Sequence, residues 1–201
     1  MRRVADMTNV LVVVASRHGG TRGIADRIAK VLEVEGLHAA VVSPAGAKDV
    51  ALADAVIVGS GVYMGSWLSE AVEFLEGHGP TLRKRPVWLF SSGPLKGSTA
   101  KKTGDAMEDA LGPAEGPGSG GRKKDEAHAT AIQARGHKVF YGAFDPNDPP
   151  KAISERLVRL MPAMKGVLPP GDYREWDQID AWAREIADDL KAALRSPVAV
   201  G

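Results

Sequence analysis

With 201 residues, the chain is long enough for one domain with a sizeable hydrophobic core, and we expect a single domain over residues 1–201. Its composition is 44% hydrophobic and 25% charged without any cysteine, which excludes wholesale disorder, disulfide scaffolds, thiolate metal sites and cysteine nucleophiles, so redox chemistry would need a bound cofactor. The formal net charge of +1 creates no global field that would steer the protein to nucleic acid.

The apolar pattern at the start of the chain repeats a strand–loop–helix unit. Residues 10–15 form a continuous apolar run, which is typical of a parallel strand buried on both faces. After the small-residue loop 16–20, apolar residues recur at helical spacing until Gly36 ends the helix. Residues 39–43 and 55–59 predict the second and third strands.

The pattern continues with a second helix and a fourth strand. Leu68, Val72 and Leu75 are spaced as one helical face, Gly77 marks the predicted end of that helix, and residues 87–91 predict the strand. Because strands and helices alternate, we predict an α/β fold: a doubly wound parallel sheet with right-handed crossovers and helices on both faces.

The second half of the chain adds further elements to this fold. Residues 101–111 and 153–164 predict helices, and residues 137–143 predict a fifth strand. We interpret residues 112–126, which are rich in Gly and Pro and end in the basic run 122–124, as a flexible, solvated insert. No recognised binding motif accompanies the basic run, so we predict no nucleic-acid partner.

The last predicted helix is the best marked one. Asp177 is its predicted N-cap, and Asp180 lies in its first turn. Its apolar stripe consists of Ile179, Trp182, Ile186 and Leu190. We expect this helix to dock on the sheet, and we expect loose ends at residues 1–8 and 196–201.

The loop between the first strand and the first helix has the features of a phosphate site. It reads Ser16-Arg17-His18-Gly19-Gly20-Thr21. A phosphate there would meet free backbone N–H groups, the positive end of the helix dipole and two hydroxyl groups, and the glycines allow the backbone to approach closely. Neither a Walker Gly-Lys-Ser/Thr sequence nor the Gly-x-Gly-x-x-Gly dinucleotide spacing is present, so a mononucleotide fits better than NAD.

The third and fourth predicted strands end in loops of the same small, hydroxyl-bearing kind. These loops read Gly59-Ser60-Gly61-Val62-Tyr63-Met64-Gly65 and Ser91-Ser92-Gly93-Pro94-Leu95. Ligands of open α/β sheets bind at this carboxyl edge, near the switch in strand order. We therefore predict a cofactor site formed by Ser16, Arg17, His18, Gly19, Gly20, Thr21, Ser60, Gly61, Val62, Tyr63, Ser91, Ser92, Gly93, Pro94 and Leu95.

The pattern Ser-x-x-Gly-x-Thr after an apolar strand resembles that of the flavodoxins. Two further stretches, Lys138-Val139-Phe140-Tyr141-Gly142-Ala143 and Gly171-Asp172-Tyr173-Arg174-Glu175-Trp176, resemble the menaquinone-dependent protoporphyrinogen oxidase family. The resemblance covers residues 10–190 in order. It implies a flavodoxin-like five-stranded sheet in the order 2-1-3-4-5, with FMN bound by its phosphate in the first loop and its ring system between the next two loops; a deazaflavin is the alternative cofactor.

Three departures from the flavodoxin pattern bear on function. Gly20 stands where flavodoxins commonly carry a polar amide. The third loop, residues 91–95, contains no aromatic residue that would cover the outer face of a flavin, so one face would stay open to a substrate. The insert at 112–126 replaces the segment in which such proteins often keep substrate determinants, and the sequence therefore leaves the substrate open.

Several single residues admit two interpretations. Tyr63 is our candidate for a ring that packs beside the flavin. We expect His18 to face solvent rather than donate to the phosphate, because backbone donors already serve the anion. Arg174 could bind a substrate carboxylate, but we favour a structural corner that leads into the last helix. We expect Trp67 to pack at the start of the second helix and Trp88 to lie in the core.

We predict an FMN-dependent oxidoreductase that transfers hydride or electrons between a small molecule, such as a protoporphyrinogen, and an acceptor such as a quinone. The alternatives are a flavodoxin-type electron carrier, which is typically strongly acidic, and a flavin-free interaction domain. The sequence singles out no catalytic acid or base and no metal site. No apolar run reaches the roughly 18 residues that cross a bilayer, so we expect a cytoplasmic protein. Contact of the apolar and basic stretch 156–168 with a membrane surface, to reach a quinone, is the less favoured option.

Overall fold

The computed structural model describes residues 8–63, 66–93, 127–144 and 171–195. Its strands are β1 (Asn9–Ala15), β2 (His38–Val42), β3 (Ala55–Tyr63), β4 (Ser66–Trp67), β5 (Val87–Gly93), β6 (Gly136–Tyr141), β7 (Ala143–Phe144) and β8 (Gly171–Asp172). Its longer helices are α1 (Gly20–Val34), α2 (Ser69–Leu82) and α3 (Trp176–Arg195). The predicted helices 101–111 and 153–164 and the insert 112–126 lie outside the described residues.

The central sheet is parallel, with the strand order β2-β1-β3-β5-β6, and β4 pairs antiparallel with the end of β3. This order confirms the predicted 2-1-3-4-5 arrangement. The chain moves outward from β1 to β2 and then crosses to β3 on the other side of β1, which makes the carboxyl ends of β1 and β3 the switch point of the sheet. The fold therefore directs any ligand toward the loops that follow β1, β3 and β5.

Helices cover both faces of the sheet, as predicted. α1 and α3 pack on one face, where their buried residues include Ile24, Ile28, Ile179 and Ile186. α2 packs on the other face through Ala71, Phe74, Leu75 and Leu82. Full burial of one such aliphatic or aromatic side chain stabilises the fold by about 1.5–3 kcal/mol. The continuous apolar runs of β1 and β3 follow from this arrangement, because both of their faces are covered.

The second helix is longer than predicted. α2 continues through Gly77 and Pro80 and ends at Leu82. Gly79 and Leu82 are both buried, so the packing of this last turn against the sheet outweighs the low helix propensity of glycine and proline.

Strand ends also differ from the prediction. β3 continues past Gly59 to Tyr63, because Ser60 and Gly61 still pair in parallel with the neighbouring strands, and Val62 and Tyr63 pair antiparallel with β4. The predicted fifth strand is interrupted at Gly142: β6 belongs to the central sheet, whereas β7 pairs antiparallel with β8. Thr8, which was expected in a loose N-terminal end, is buried, and its carbonyl accepts the N–H of His38 at 2.9 Å.

The last helix begins just before its predicted start. α3 begins at Trp176, so Asp177 lies in the first turn and is not the N-cap. The N–H of Ile179 donates to the carbonyl oxygen of Glu175 at 3.2 Å, which makes Glu175 the residue that precedes the helix. The predicted apolar stripe of this helix is buried against the sheet and α1.

An ion pair between Arg27 and Asp180 joins the two helices on this face. The guanidinium Nε and Nη2 of Arg27 donate to the two carboxylate oxygens of Asp180, both at 2.6 Å. The Asp180 side chain is only 10% exposed. The hydrogen bonds from Arg27 hold the pKa of Asp180 below its ordinary value, against the opposing effect of burial. The sequence predicted only that Asp180 lies in the first turn of a helix. It did not predict the ion pair, because no local pattern indicates a partner 153 residues away.

This ion pair predicts a pH-dependent stability. Because the folded-state pKa of Asp180 is lower than the unfolded value of about 3.9, its contribution is complete above about pH 4 and is lost as the pH falls through the folded-state pKa. Asp180→Asn should therefore lower the free energy of unfolding at pH 7 and make the loss between pH 7 and pH 3 smaller than in the wild type. Urea unfolding at both pH values measures this, with Asp188→Asn on the exposed side of the same helix as control. If the free energy of unfolding falls equally between pH 7 and pH 3 in Asp180→Asn and in the wild type, the stabilising role assigned to the ion pair is wrong.

Candidate functional site

The register of the sheet brings the three predicted loops side by side. Ala15 at the end of β1 pairs with Ser60 of β3, and Ser60 pairs with Ser91 of β5. Gly61 and Ser92 form the next pair. The loop that starts at Ser16 therefore lies directly beside the ends of β3 and β5. The structure thus assembles the described part of the predicted site, whereas Pro94 and Leu95 lie outside the described residues.

The loop before α1 leads into a helix start whose first backbone N–H groups have no acceptor within the helix. Gly19 has φ of +83°, a left-handed conformation that glycine adopts without steric cost, and it stands at the N-cap of α1. The first intrahelical bond runs from the N–H of Gly23 to the carbonyl of Gly19 at 2.8 Å. The N–H groups of Gly20, Thr21 and Arg22 precede that bond and have no acceptor within the helix. An anion placed here would satisfy them and would meet the positive end of the helix dipole.

The loop is shaped by its own hydroxyl group and carries no acidic side chain. The Ser16 hydroxyl accepts the N–H of Gly19 at 3.1 Å, which closes the turn. The loop and first turn run from Ser16 to Gly23 without Asp or Glu, so nothing in this stretch competes with an incoming anion. His18 is only partly exposed and its Nδ1 is buried, which differs from the predicted solvent-facing position.

Thr21 and Tyr63 converge on Gly61, where the first two loops meet. A Cβ built on Gly61 would lie 2.8 Å from Cε2 of Tyr63 and 3.1 Å from Oγ1 of Thr21, so a larger residue would have to displace the Tyr63 ring. The guanidinium of Arg17 lies 4.7 Å from the centroid of the Tyr63 ring, a cation–π contact. The phosphate loop and the end of β3 therefore form one continuous surface.

The hydroxyl groups of Ser60 and Ser91 serve the protein interior. Both residues are 0% exposed. Ser60 donates to the carbonyl of Gly61 at 2.9 Å and accepts the N–H of Leu68 at 3.0 Å. Ser91 accepts the indole N–H of Trp67 at 2.8 Å, and its oxygen lies 2.8 Å from Nε2 of His137. These side chains fix the β3–β4 hairpin to β5, so the two residues would reach a ligand through their backbone only.

The remaining described residues of the third loop are tightly packed. Ser92 is buried and Gly93 is half-buried. A Cβ built on Gly142 would lie 3.1 Å from the Gly93 carbonyl oxygen and 3.2 Å from the Ser92 hydroxyl, which explains why glycine stands where β6 gives way to β7. Val62 is half-buried and pairs with Trp67. Trp67 lies buried just before α2, as the sequence predicts.

The segment after β8 packs against the phosphate loop. Arg174 donates through Nε and Nη2 to the two carboxylate oxygens of Asp172, at 2.7 and 2.6 Å, and through Nη1 to the carbonyl of Gly20 at 3.3 Å. The Arg174 guanidinium also stacks on Trp176, 4.5 Å from the ring centroid. The hydrogen bonds from Arg174 lower the pKa of Asp172. These contacts favour the structural corner over a substrate-binding arginine. The sequence predicted the structural corner but not the contact of Arg174 with Gly20.

The arrangement as a whole suits an elongated, anionic ligand. Its phosphate end would bind the open N–H groups at the start of α1 and the hydroxyl of Thr21, and its other end would lie along the edges of β3 and β5. No helix in the described part of the chain is long and apolar enough to span a membrane.

Comparison with known proteins agrees with this fold. The family model described as a flavodoxin domain matches residues 11–147. No curated protein sequence matches the chain. Among solved structures, rubredoxin oxygen:oxidoreductase from the anaerobe Desulfovibrio gigas is 17% identical with a TM-score of 0.55; the match covers 96% of this chain but only 39% of that protein.

Two flavodoxins match over almost their whole length. A flavodoxin from the domain Archaea is 15% identical with a TM-score of 0.54 and is covered to 99%, against 92% of this chain. The flavodoxin of Streptococcus pneumoniae TIGR4 is 17% identical with a TM-score of 0.53 and is likewise covered to 99%, against 90% of this chain. At such identities these likenesses concern the fold.

Proposed function

The chain belongs to the flavodoxin-domain family, and we propose that it binds FMN non-covalently at the carboxyl edge of its sheet and uses it to transfer electrons. FMN is the cofactor that this family generally holds. The observation that carries the proposal is the pairing of Ala15 with Ser60 and of Ser60 with Ser91. This register places the start of α1, which has no acidic residue, beside the ends of β3 and β5 and the loops that follow them. The loops of any sheet with this strand order meet at this edge, so the acid-free start of α1 is the feature that favours an anionic cofactor over a flavin-free interaction domain.

The residues present fit FMN at both of its ends. The N–H groups of Gly20, Thr21 and Arg22 would hold the phosphate, and Gly19, with nothing within 4 Å of a Cβ built on it, leaves room for close approach. Tyr63, half-buried at the end of β3 and adjacent to the phosphate loop, is the aromatic residue proposed to pack beside the ring system. When bound, FMN supplies hydride and one-electron transfer, while the protein contributes position and electrostatics.

We further propose that the protein is an oxidoreductase with a small-molecule substrate and a quinone as acceptor. Its net charge of +1 differs from the strong acidity expected of a carrier that docks basic partners. The described residues of the third loop, Ser91 to Gly93, offer no aromatic cover for the outer flavin face. The resemblance of residues 171–176 to protoporphyrinogen oxidases suggests a porphyrinogen as one donor to be tested.

An electron carrier is the second candidate, because two flavodoxins match this fold over 99% of their length. Reoxidation kinetics separate the two functions. The FMN-loaded protein is reduced with dithionite, and its reoxidation by a soluble menaquinone analogue is followed by flavin absorbance. The oxidoreductase should reoxidise with a rate that saturates as the quinone concentration rises. A rate that stays linear in quinone and equals that of free FMN would contradict a quinone site and favour the carrier.

A further inference from the structure

The Asp172–Arg174 pair lies directly behind the phosphate loop. We propose that Arg174 is a positioning residue: by binding the Gly20 carbonyl it fixes the first turn of α1, and it thereby sets how tightly the site holds a phosphate-bearing ligand. This inference rests on the proposed FMN function for its consequence, but its first step concerns the protein alone.

The side chain of Arg174 is held by Asp172 and Trp176. Asp172 binds its guanidinium by two parallel hydrogen bonds, the bidentate geometry that adds direction as well as energy. The backbone N–H of Arg174 also donates to Asp172, at 3.1 Å. Trp176 covers one face of the guanidinium. With these contacts in place, Nη1 points at the Gly20 carbonyl.

Gly23 on α1 makes room for this contact. A Cβ built on Gly23 would collide with Nη1 of Arg174. A Cβ built on Gly20, one turn earlier, would lie 3.6 Å from both the backbone nitrogen and the carbonyl oxygen of Ala143 in β7. β7 thus packs against Gly20, and Arg174 packs against Gly23. Glycine is a poor helix former compared with alanine, and here the close approach of Arg174 accounts for Gly23.

The contribution of Arg174 is geometric rather than a matter of charge. Asp172 neutralises the guanidinium, so the pair adds little net field at the phosphate site. Binding of a phosphate by several N–H groups requires all of them to point to one place, and small displacements of the supporting residues weaken such sites. A rigid first turn is therefore what Arg174 supplies.

Hydrogen exchange of the ligand-free protein tests the first step. By helix geometry the amide of Ile24 donates to the Gly20 carbonyl, the same oxygen that Arg174 binds. Arg174→Met should raise the exchange rate at the start of α1 about tenfold, whereas Arg22→Met should change it less. Arg22 is the matched control, because it lies in the same turn and bonds Asp26 and the Val41 carbonyl instead. Unchanged exchange in Arg174→Met would overturn the inference.

FMN titration tests the consequence. Arg174→Lys keeps the charge but loses the bidentate fork, and Gly23→Ala displaces the guanidinium without altering it. Both should raise the Kd for FMN about tenfold. Asp172→Asn separates geometry from charge: it makes the site more positive, so a pure charge effect would tighten binding, whereas loss of position should weaken it. Wild-type affinity in Arg174→Lys and Gly23→Ala, or tighter binding in Asp172→Asn, would overturn the inference. If the wild type binds no FMN, the proposed function fails, and the exchange result alone decides the role of Arg174.

Discussion

Replacement of Gly20 with aspartate should weaken FMN binding about thirtyfold and leave the ligand-free protein at least as stable as the wild type. Gly20 is the first residue of α1, where a negative side chain stabilises a helix by about 0.3–1 kcal/mol through the dipole. The same charge would repel a phosphate. Two unit charges about 8 Å apart interact by about 2 kcal/mol at an effective dielectric constant of about 20, which corresponds to about thirtyfold in Kd.

Gly20→Asn is the matched control for this prediction, because asparagine has nearly the same shape without the charge. A Cβ at Gly20 meets Ala143 at ordinary contact distance, so both side chains begin with the same fit. Fluorescence titration with FMN and thermal unfolding without ligand measure the two properties separately. Equal affinity of the two variants would show that no phosphate binds at the start of α1.

Gly59→Ala should destabilise the protein by about 3 kcal/mol, the largest effect on stability that we expect from a single methyl group. Gly59 lies in the central strand β3 and pairs with Phe90. A Cβ there would overlap the Phe90 ring, which is fully buried. That ring cannot move aside, because Phe140 and Trp182 lie against it with centroids 6.2 Å away. At this chain length the melting temperature should fall by about 10 °C.

Gly77→Ala provides the control for a glycine that has no such neighbour. Gly77 lies inside α2 with nothing within 4 Å of a Cβ built on it. Alanine there should stabilise the protein by about 0.5–1 kcal/mol, because it gains helix propensity without a clash. Thermal unfolding of both variants measures the difference. A melting temperature for Gly59→Ala within a few degrees of the wild type would contradict the packing described for Phe90.

The order and type of the main elements could be predicted because each carries its own local signal. The apolar run of residues 10–15 and the helical stripe of residues 179–190 are visible without knowledge of the rest of the chain. The alternation of strands and helices then leaves few topologies. Element ends were predicted less well. Gly77 and Pro80 lie within α2 because buried Leu82 holds the last turn, and the extension of β3 to Tyr63 depends on pairing with β1, β4 and β5.

The meeting of the three loops at one edge of the sheet was also predictable, but the partners of their side chains were not. Loops after β1, β3 and β5 must meet at one edge in this fold. Whether a hydroxyl faces a ligand or the interior depends on partners elsewhere in the chain, such as Trp67 and His137 for Ser91. The contact of Arg174 with Gly20 spans 154 residues and leaves no pattern at either end.

The most direct test of the central claim compares FMN with riboflavin, which has the same ring system and no phosphate. The purified wild-type protein is titrated with each flavin by fluorescence quenching. The phosphate site predicts that FMN binds about a hundredfold more tightly, equivalent to about 2.7 kcal/mol, and that inorganic phosphate reduces this preference. Equal affinity for the two flavins, or binding of neither, would contradict a phosphate site at the start of α1 and the FMN function built on it.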